Sequence, residues 1–237
     1  MILQENPEHG FTIDALETMY PTLMTVFKKS GETGTKEGTV QGYVLNGTVD
    51  IKTRHFTAQL GEQGFFAAPG GVELKLGENT TVVTIERYGF QGLAQVGQRE
   101  KRGRLSYIDG CSDTLIIPPA RKGDCVLNHL HFPAGINQTQ HIHPSIRMGI
   151  VAGGYGESWY EGHWWTKADG TREQLKAPWV NKLTPGSVFM LEEQEQHSFR
   201  TFKDTMDIIA YHPDSDCGPT DDTHPMIQRT YINHGKK

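Results

Sequence analysis

The stretch Gly135-Ile136-Asn137-Gln138-Thr139-Gln140-His141-Ile142-His143-Pro144-Ser145-Ile146-Arg147-Met148-Gly149-Ile150-Val151-Ala152-Gly153-Gly154 decides how this chain is read. His141 and His143 flank one residue, and a third histidine, His197, follows Pro185 by twelve positions. Side chains alternate faces along a strand, so two histidines one residue apart point the same way and can share one ion. His197 then only has to reach across from a later strand. Imidazole nitrogen binds zinc, copper, iron or nickel at about 2 Å, and three such ligands leave coordination positions open for water or substrate. A lone His-x-His is a weak signal, and His197 behind a Pro185-Gly186 turn is what strengthens it.

Outward from this stretch, the chain contains itself twice. Gly42-Tyr43-Val44-Leu45-Asn46-Gly47 echoes Gly149 to Gly154, and Leu60 through Phe65-Phe66 to Leu74 echoes Leu183 through Val188-Phe189 to His197. These blocks are apolar and β-branched, punctuated by glycine and proline turns, which reads as strands. A repeat of whole supersecondary units is a fold-level signal. Ungapped alignment of the halves sets Gly34 against His141, Lys36 against His143, Val40 against Arg147 and Leu74 against His197. Every ligand position is lost in the first half, which is expected to bind no metal.

Gly135, His141, His143 and Gly154, followed by Pro185, Gly186 and His197, resemble the two motifs of the cupin superfamily. The resemblance implies an all-β fold of two tandem jelly-roll barrels: a degenerate barrel with an N-terminal arm over 1–98, and a metal-binding barrel over 99–237. One departure stands out. Where the family usually places a carboxylate or amide ligand, this chain has Ile146, Arg147 and Met148. A three-histidine site remains, as in cupin dioxygenases that lack the acidic ligand, but loss of a negative charge weakens or retunes metal binding.

At 237 residues the chain has bulk for a sizeable core, and its formal charge of −5 does not advertise the basic face a nucleic-acid binder needs. No run approaches the roughly 20 apolar residues that span a bilayer, and Met1 to Pro7 carries no basic segment before an apolar core. A cytoplasmic protein with neither nucleic acid nor membrane as partner is expected. Cys111, Cys125 and Cys217 are odd in number and outside any C-x-x-C pattern, so free thiols are expected rather than disulfides or a zinc ribbon.

Other segments carry local expectations. Thr12 to Lys28 reads as helical turns capped by Thr12, with Pro21 barring a longer helix. Gly89 to Gly123 reads as the connection between barrels, its cluster Gln98-Arg99-Glu100-Lys101-Arg102-Gly103-Arg104 a solvated loop. The second half also has an insertion, 155–182, holding all four tryptophans, Trp159, Trp164, Trp165 and Trp179. An extended hairpin turning at Ala168-Asp169-Gly170 is expected there. Its indoles pack against another barrel or subunit, a homodimer being expected, or wall the pocket for a planar substrate, with Trp159 the substrate-facing candidate. The acids of the tail, Asp214, Asp216, Asp221 and Asp222, read as turn chemistry.

Arg147 shares a face with the ligands by alternation. It either grips a carboxylate or phosphate beside the metal or pairs with a buried acid such as Glu192, Glu193 or Glu195. His129 and His131 share one strand face, and either line the pocket or sit hydrogen-bonded on the outer face. The substrate class favoured is a small anionic molecule. Resemblance to three-histidine cupin dioxygenases implies oxygen-dependent oxidation at non-haem Fe(II), with zinc, nickel or manganese as other occupants. Two other readings stay open: an isomerase or lyase in which Tyr155, Tyr160, Tyr211 or His212 moves a proton, and a non-catalytic binding protein. The catalytic candidates are Arg147 and Tyr211.

Overall fold

Burial alternates along the chain with period two. In Thr48–Thr53 and Thr12–Ala15 exposed and buried residues take turns, the signature of strands with one face on a core. The computed structural model describes residues 1–215, with Trp164 and Trp165 in backbone only. Cys217 and the tail acids Asp216, Asp221 and Asp222 lie outside the described residues. Apart from one short turn at Ile108–Gly110, every regular element described is a strand. No described helix is long and apolar enough to cross a membrane.

Two pairs of sheets form two barrels. In the first, six antiparallel strands run in the order Gln95–Gln98, Gly64–Pro69, Thr39–Asn46, Thr81–Arg87, Thr22–Phe27, Thr12–Ala15. With the four strands Gly31–Thr33, Val72–Leu76, Thr48–Thr53 and Thr57–Gly61, they enclose a core that includes Val40, Val44, Ile51, Phe66 and Leu74. In the second, seven strands run Ile2–Gln4, Val188–Leu191, Arg147–Gly154, Met206–His212, Val126–Phe132, Ser112–Ile117, Leu105–Ser106. Opposite them lie Trp179–Leu183, Gly156–Tyr160 and Ser198–Arg200, around Phe132, Val151, Phe189 and Phe199. A third core, including Met24, Tyr43, Phe65 and Val83 against Leu127, Met148, Ile150, Ile209 and Tyr211, packs the two large sheets back to back. Each central strand therefore buries both faces.

The repeat holds in register. Val40 stands opposite Ala68 and Gly42 opposite Phe66 in the first barrel; Arg147 stands opposite Leu191 and Gly149 opposite Phe189 in the second. In both, the phenylalanine ring lies so close to the glycine that a Cβ there would fall 2.2 Å from Phe66 and 2.0 Å from Phe189. The ungapped alignment needs one correction upstream. Gly31 pairs with Leu74 as His141 bridges His197, so the structural counterparts of His141 and His143 are Gly31 and Thr33 rather than Gly34 and Lys36. The first barrel's loop is three residues longer between these points (31 to 40 against 141 to 147), which sequence matching without gaps passes over.

Three local expectations are revised. Thr12 to Lys28 is a hairpin, Thr12–Ala15 against Thr22–Phe27, because Ile13, Ala15, Met24 and Val26 fall on one buried face. Pro21, a helix breaker, sits harmlessly just before a strand. The connection contributes strands to both large sheets: Gln95–Gln98 extends the first and Ser112–Ile117 the second. Its Arg99 is buried, not solvated. Residues 2–4 of the N-terminal arm pair with Val188–Leu191 of the second barrel. The insertion is the extended hairpin expected: Gly156–Tyr160 pairs with Trp179–Leu183, and His163–Thr166 with Arg172–Lys176 beyond it.

Candidate metal centre

Pro144 and the bend after it end the His-x-His segment before the Arg147–Gly154 strand begins. His141 therefore makes one ladder step only: its N–H donates to the His197 carbonyl at 2.9 Å, and the His197 N–H returns to the His141 carbonyl at 3.0 Å. The Gln194 N–H donates to the His143 carbonyl at 2.9 Å and closes the loop on the other side. Ile142 turns to solvent between the two histidines. This alternation brings His141, His143 and His197 together with one ligand atom of each within 4.8 Å of the others.

The tautomers follow from the neighbours. The Nδ1 of His141 donates to the Thr139 carbonyl at 2.9 Å, and that of His197 to the Glu195 carbonyl at 2.8 Å. Nε2 of both rings is left as the ligating nitrogen. The Nε2 of His197 is buried and has no hydrogen-bond partner, a costly arrangement for a polar atom unless it binds something. Burial, then neighbouring His141, holds His197 in the neutral form, its pKa pushed down to about 3. Burial and the positive charge of Arg147 hold His143 well below the ordinary histidine value, and burial lowers His141 against the opposing pull of its Thr139 bond. Three neutral imidazoles converging on one point fit a divalent ion.

Arg147 points to the same interior. Its Nη1 donates to the Ser145 carbonyl at 3.0 Å, the Ser145 hydroxyl at 2.7 Å and the Ile146 carbonyl at 2.7 Å, which fixes the guanidinium. Burial draws its pKa down to about 10, opposed by the Asp214 carboxylate at 3.9 Å. The neighbouring acid is thus Asp214, not Glu192, Glu193 or Glu195. Glu192 and Glu193 are exposed, and Glu195 is engaged by the Met1 amino group. His212 stands beside Arg147 on the adjacent strand, since Met148 is opposite Tyr211, and its ring lies 6.0 Å from that of His143.

Three sequence expectations end elsewhere. Tyr211 faces the opposite side of its strand, fully buried in the core between the barrels next to Cys125, and burial raises its phenol well above the ordinary value. It does not line the cavity at the histidines, so its hydroxyl is not placed for the proton transfer expected of it. His129 and His131 lie on that same outer face, both on Asp207: His129 Nε2 is 2.8 Å and His131 Nδ1 2.9 Å from one carboxylate oxygen. Arg99 reaches His129 at 2.8 Å and donates to the Tyr43 hydroxyl at 3.0 Å, so the cluster ties the first barrel to the second and does not line the cavity at the three histidines. Trp159 is on the outside of Gly156–Tyr160 with Arg200 over its ring at 5.2 Å, away from the cavity. Alternation predicted a shared face for each pair but not which face. Cys111 and Cys125 are buried thiols whose pKa burial pushes up to about 12, far from a nucleophile.

The cavity at the histidines is lined besides by Tyr107, Gln138, Leu130, Phe132, Phe189, Phe199 and Ile208. Its free space is about 20 Å³, room for a water molecule or so. Tyr107 and Gln138 were not foreseen. Tyr107 comes from the connection between the barrels, and nothing in its sequence neighbourhood marks it as pocket-lining.

No protein-family model and no curated protein sequence matches the chain. Solved structures do. A cupin 2 conserved barrel domain protein from Leptotrichia buccalis is similar over 87% of this chain and 91% of that one, at 12% identity and a TM-score of 0.55. Salicylate 1,2-dioxygenase from Pseudaminobacter salicylatoxidans is similar over 82% and 71%, at 9% identity and a TM-score of 0.57. Oxalate decarboxylase from Bacillus subtilis, described with Mn(II) centres, is similar over 90% and 75%, at 9% identity and a TM-score of 0.53. The chain has the cupin fold. Its two barrels make it a bicupin in architecture, with a three-histidine cluster in the second.

Proposed function

We propose that the protein is a metal-dependent enzyme acting on a small anionic organic molecule, with non-haem iron(II) as the metal and dioxygen as co-substrate. The observation that carries this is the juxtaposition of three neutral histidines with a buried, positionally fixed Arg147 in one apolar cavity. When bound, a divalent ion there supplies Lewis acidity and open coordination positions, and iron(II) in addition supplies electrons to oxygen. The chain's own part is to hold and orient. Arg147 attracts the anionic group of the substrate, and the apolar walls of Leu130, Phe132, Phe189 and Phe199 keep water out and strengthen that attraction. His212, beside Arg147, is placed to hold a proton near the reacting group. The small free volume favours a compact substrate and requires the walls to yield on binding.

The similar structures named for salicylate and oxalate chemistry support the anionic class, and the dioxygenase among them supports oxygen as co-substrate. The decarboxylase favours a second reading, a lyase on the same centre. Metal analysis of untagged protein, followed by oxygen uptake with the iron-loaded form on salicylate, gentisate and oxalate, separates the readings. Oxygen consumed with carboxylate supports the first, turnover without oxygen the second, and a metal-free protein neither. Arg147→Lys, which keeps charge but loses the planar fork, should weaken carboxylate binding by about tenfold with metal content unchanged. Equal binding by the variant would remove Arg147 as the anchor.

A further inference from the structure

Asp109 lies on the connection between the barrels, far in sequence from the histidines, within the turn Ile108–Gly110. Its backbone is left-handed at φ 52°, and Gly110 follows at φ 87°. That conformation disfavours most side chains, though aspartate tolerates it better than others. The result is a contact. Asp109 Oδ2 accepts the Thr139 N–H at 2.6 Å, and the Thr139 carbonyl in turn accepts His141 Nδ1 at 2.9 Å.

The segment holding Thr139 needs such a tie. It meets the Ser198–Arg200 side of the barrel at Asn137, opposite Arg200, and next makes a bridge only at His141, opposite His197. Gln138 is anchored through its N–H to the Phe199 carbonyl at 2.9 Å and through its carbonyl to the Ser198 hydroxyl. Thr139 directs its N–H to the connection instead, where Asp109 receives it. Were Thr139 to turn, His141 would lose the acceptor that keeps its proton on Nδ1, and a proton on Nε2 has to leave before that nitrogen can ligate, which weakens binding.

We propose that Asp109 is a positioning residue for the metal centre: its carboxylate fixes Thr139, and Thr139 fixes the tautomer and orientation of His141. The connection between the barrels thereby becomes part of the metal site. This rests on the three histidines being metal ligands.

Two variants test it. Asp109→Gly keeps the left-handed backbone and removes the carboxylate, while Asp109→Asn restores one acceptor oxygen. Zinc affinity by chelator competition and nitrogen NMR of the His141 ring in the metal-free protein are the readouts. Asp109→Gly should bind zinc about 10- to 100-fold more weakly, with mixed His141 tautomers and an unchanged melting temperature of the metal-free protein. Asp109→Asn should recover most of the affinity. Affinity within about twofold of wild type, with His141 still protonated on Nδ1, overturns the proposal, as does a lowered metal-free melting temperature with unchanged affinity. Wild-type protein that binds no zinc would instead remove the three-histidine reading, and this proposal with it.

Discussion

The two barrels share a backbone and differ in what fills it. Val40, Phe66 and Leu74 close the first in an apolar core, while Arg147, Phe189 and His197 stand at the matching places of the second. Phe66 and Phe189 do the same work in both, each packed against a facing glycine, Gly42 or Gly149. The apolar half of the pattern is thus common and sets the strand spacing. What turns one barrel into a site is the exchange at a few inward positions near its end: Val40 for Arg147, Leu74 for His197, Gly31 for His141 and Thr33 for His143. A shared packing unit with a variable mouth is how one fold carries both a scaffold and a centre.

The comparison breaks most readily at the ligands. His141→Ala with His197→Ala should abolish stoichiometric metal, since one imidazole holds a divalent ion poorly, and the protein should remain folded because the apolar cores are untouched. Metal analysis after dialysis decides. A full equivalent retained by the double variant would mean that the first barrel, with Gly31, Thr33 and Leu74, holds an ion after all.

The glycines offer a finer cut. Gly42→Ala and Gly149→Ala should each destabilise by about 1–3 kcal/mol in urea unfolding, because the new methyl collides with a phenylalanine ring that must shift out of its packed position. Only Gly149→Ala should also change metal or carboxylate affinity, since Phe189 lines the cavity and Phe66 lines an apolar core. A ligand effect from Gly42→Ala as large as from Gly149→Ala would mean that the barrels are coupled through their shared core rather than filled independently.

Much of this was legible in the sequence. The repeat, the strands and the histidine triad are written in alternation, glycine-proline punctuation and spacing, which act locally. The side of a strand on which a residue ends up depends on a partner far along the chain. His129, His131 and Tyr211 alternate correctly, yet the first barrel packs on the face where they lie, so they became interior to the pair of barrels and not to the pocket. Asp214 as neighbour of Arg147, and Asp109 behind His141, depend likewise on where distant loops return. The Thr12 to Lys28 hairpin was missed because a short segment with a capping threonine also suits a helix until its strand partner is known.

The polar filling of the second barrel extends beyond the three histidines, which gives the smallest and most specific test. Asp113 stands opposite Leu130, a cavity-lining residue, and is almost wholly buried. Asn128 donates to its Oδ2 at 3.4 Å, while its Oδ1 has no hydrogen-bond partner. Burial raises its pKa to about 7. The folded protein therefore holds this proton over a range where the unfolded chain, with an ordinary carboxyl near 4, has released it. A raised carboxyl pKa gives stability that is complete at low pH and is lost as pH rises towards 7, beyond which the ionised group burdens the fold fully. Asp113→Asn removes the titration and keeps the shape. Its stability advantage over wild type should grow by roughly 2.7 kcal/mol between pH 5 and pH 8 in denaturant unfolding of the metal-free proteins, at 1.36 kcal/mol per pH unit below the folded pKa. A gap that stays constant over this range would show that Asp113 is ionised and compensated in the folded protein, and that the polar character of the second barrel stops at its metal centre.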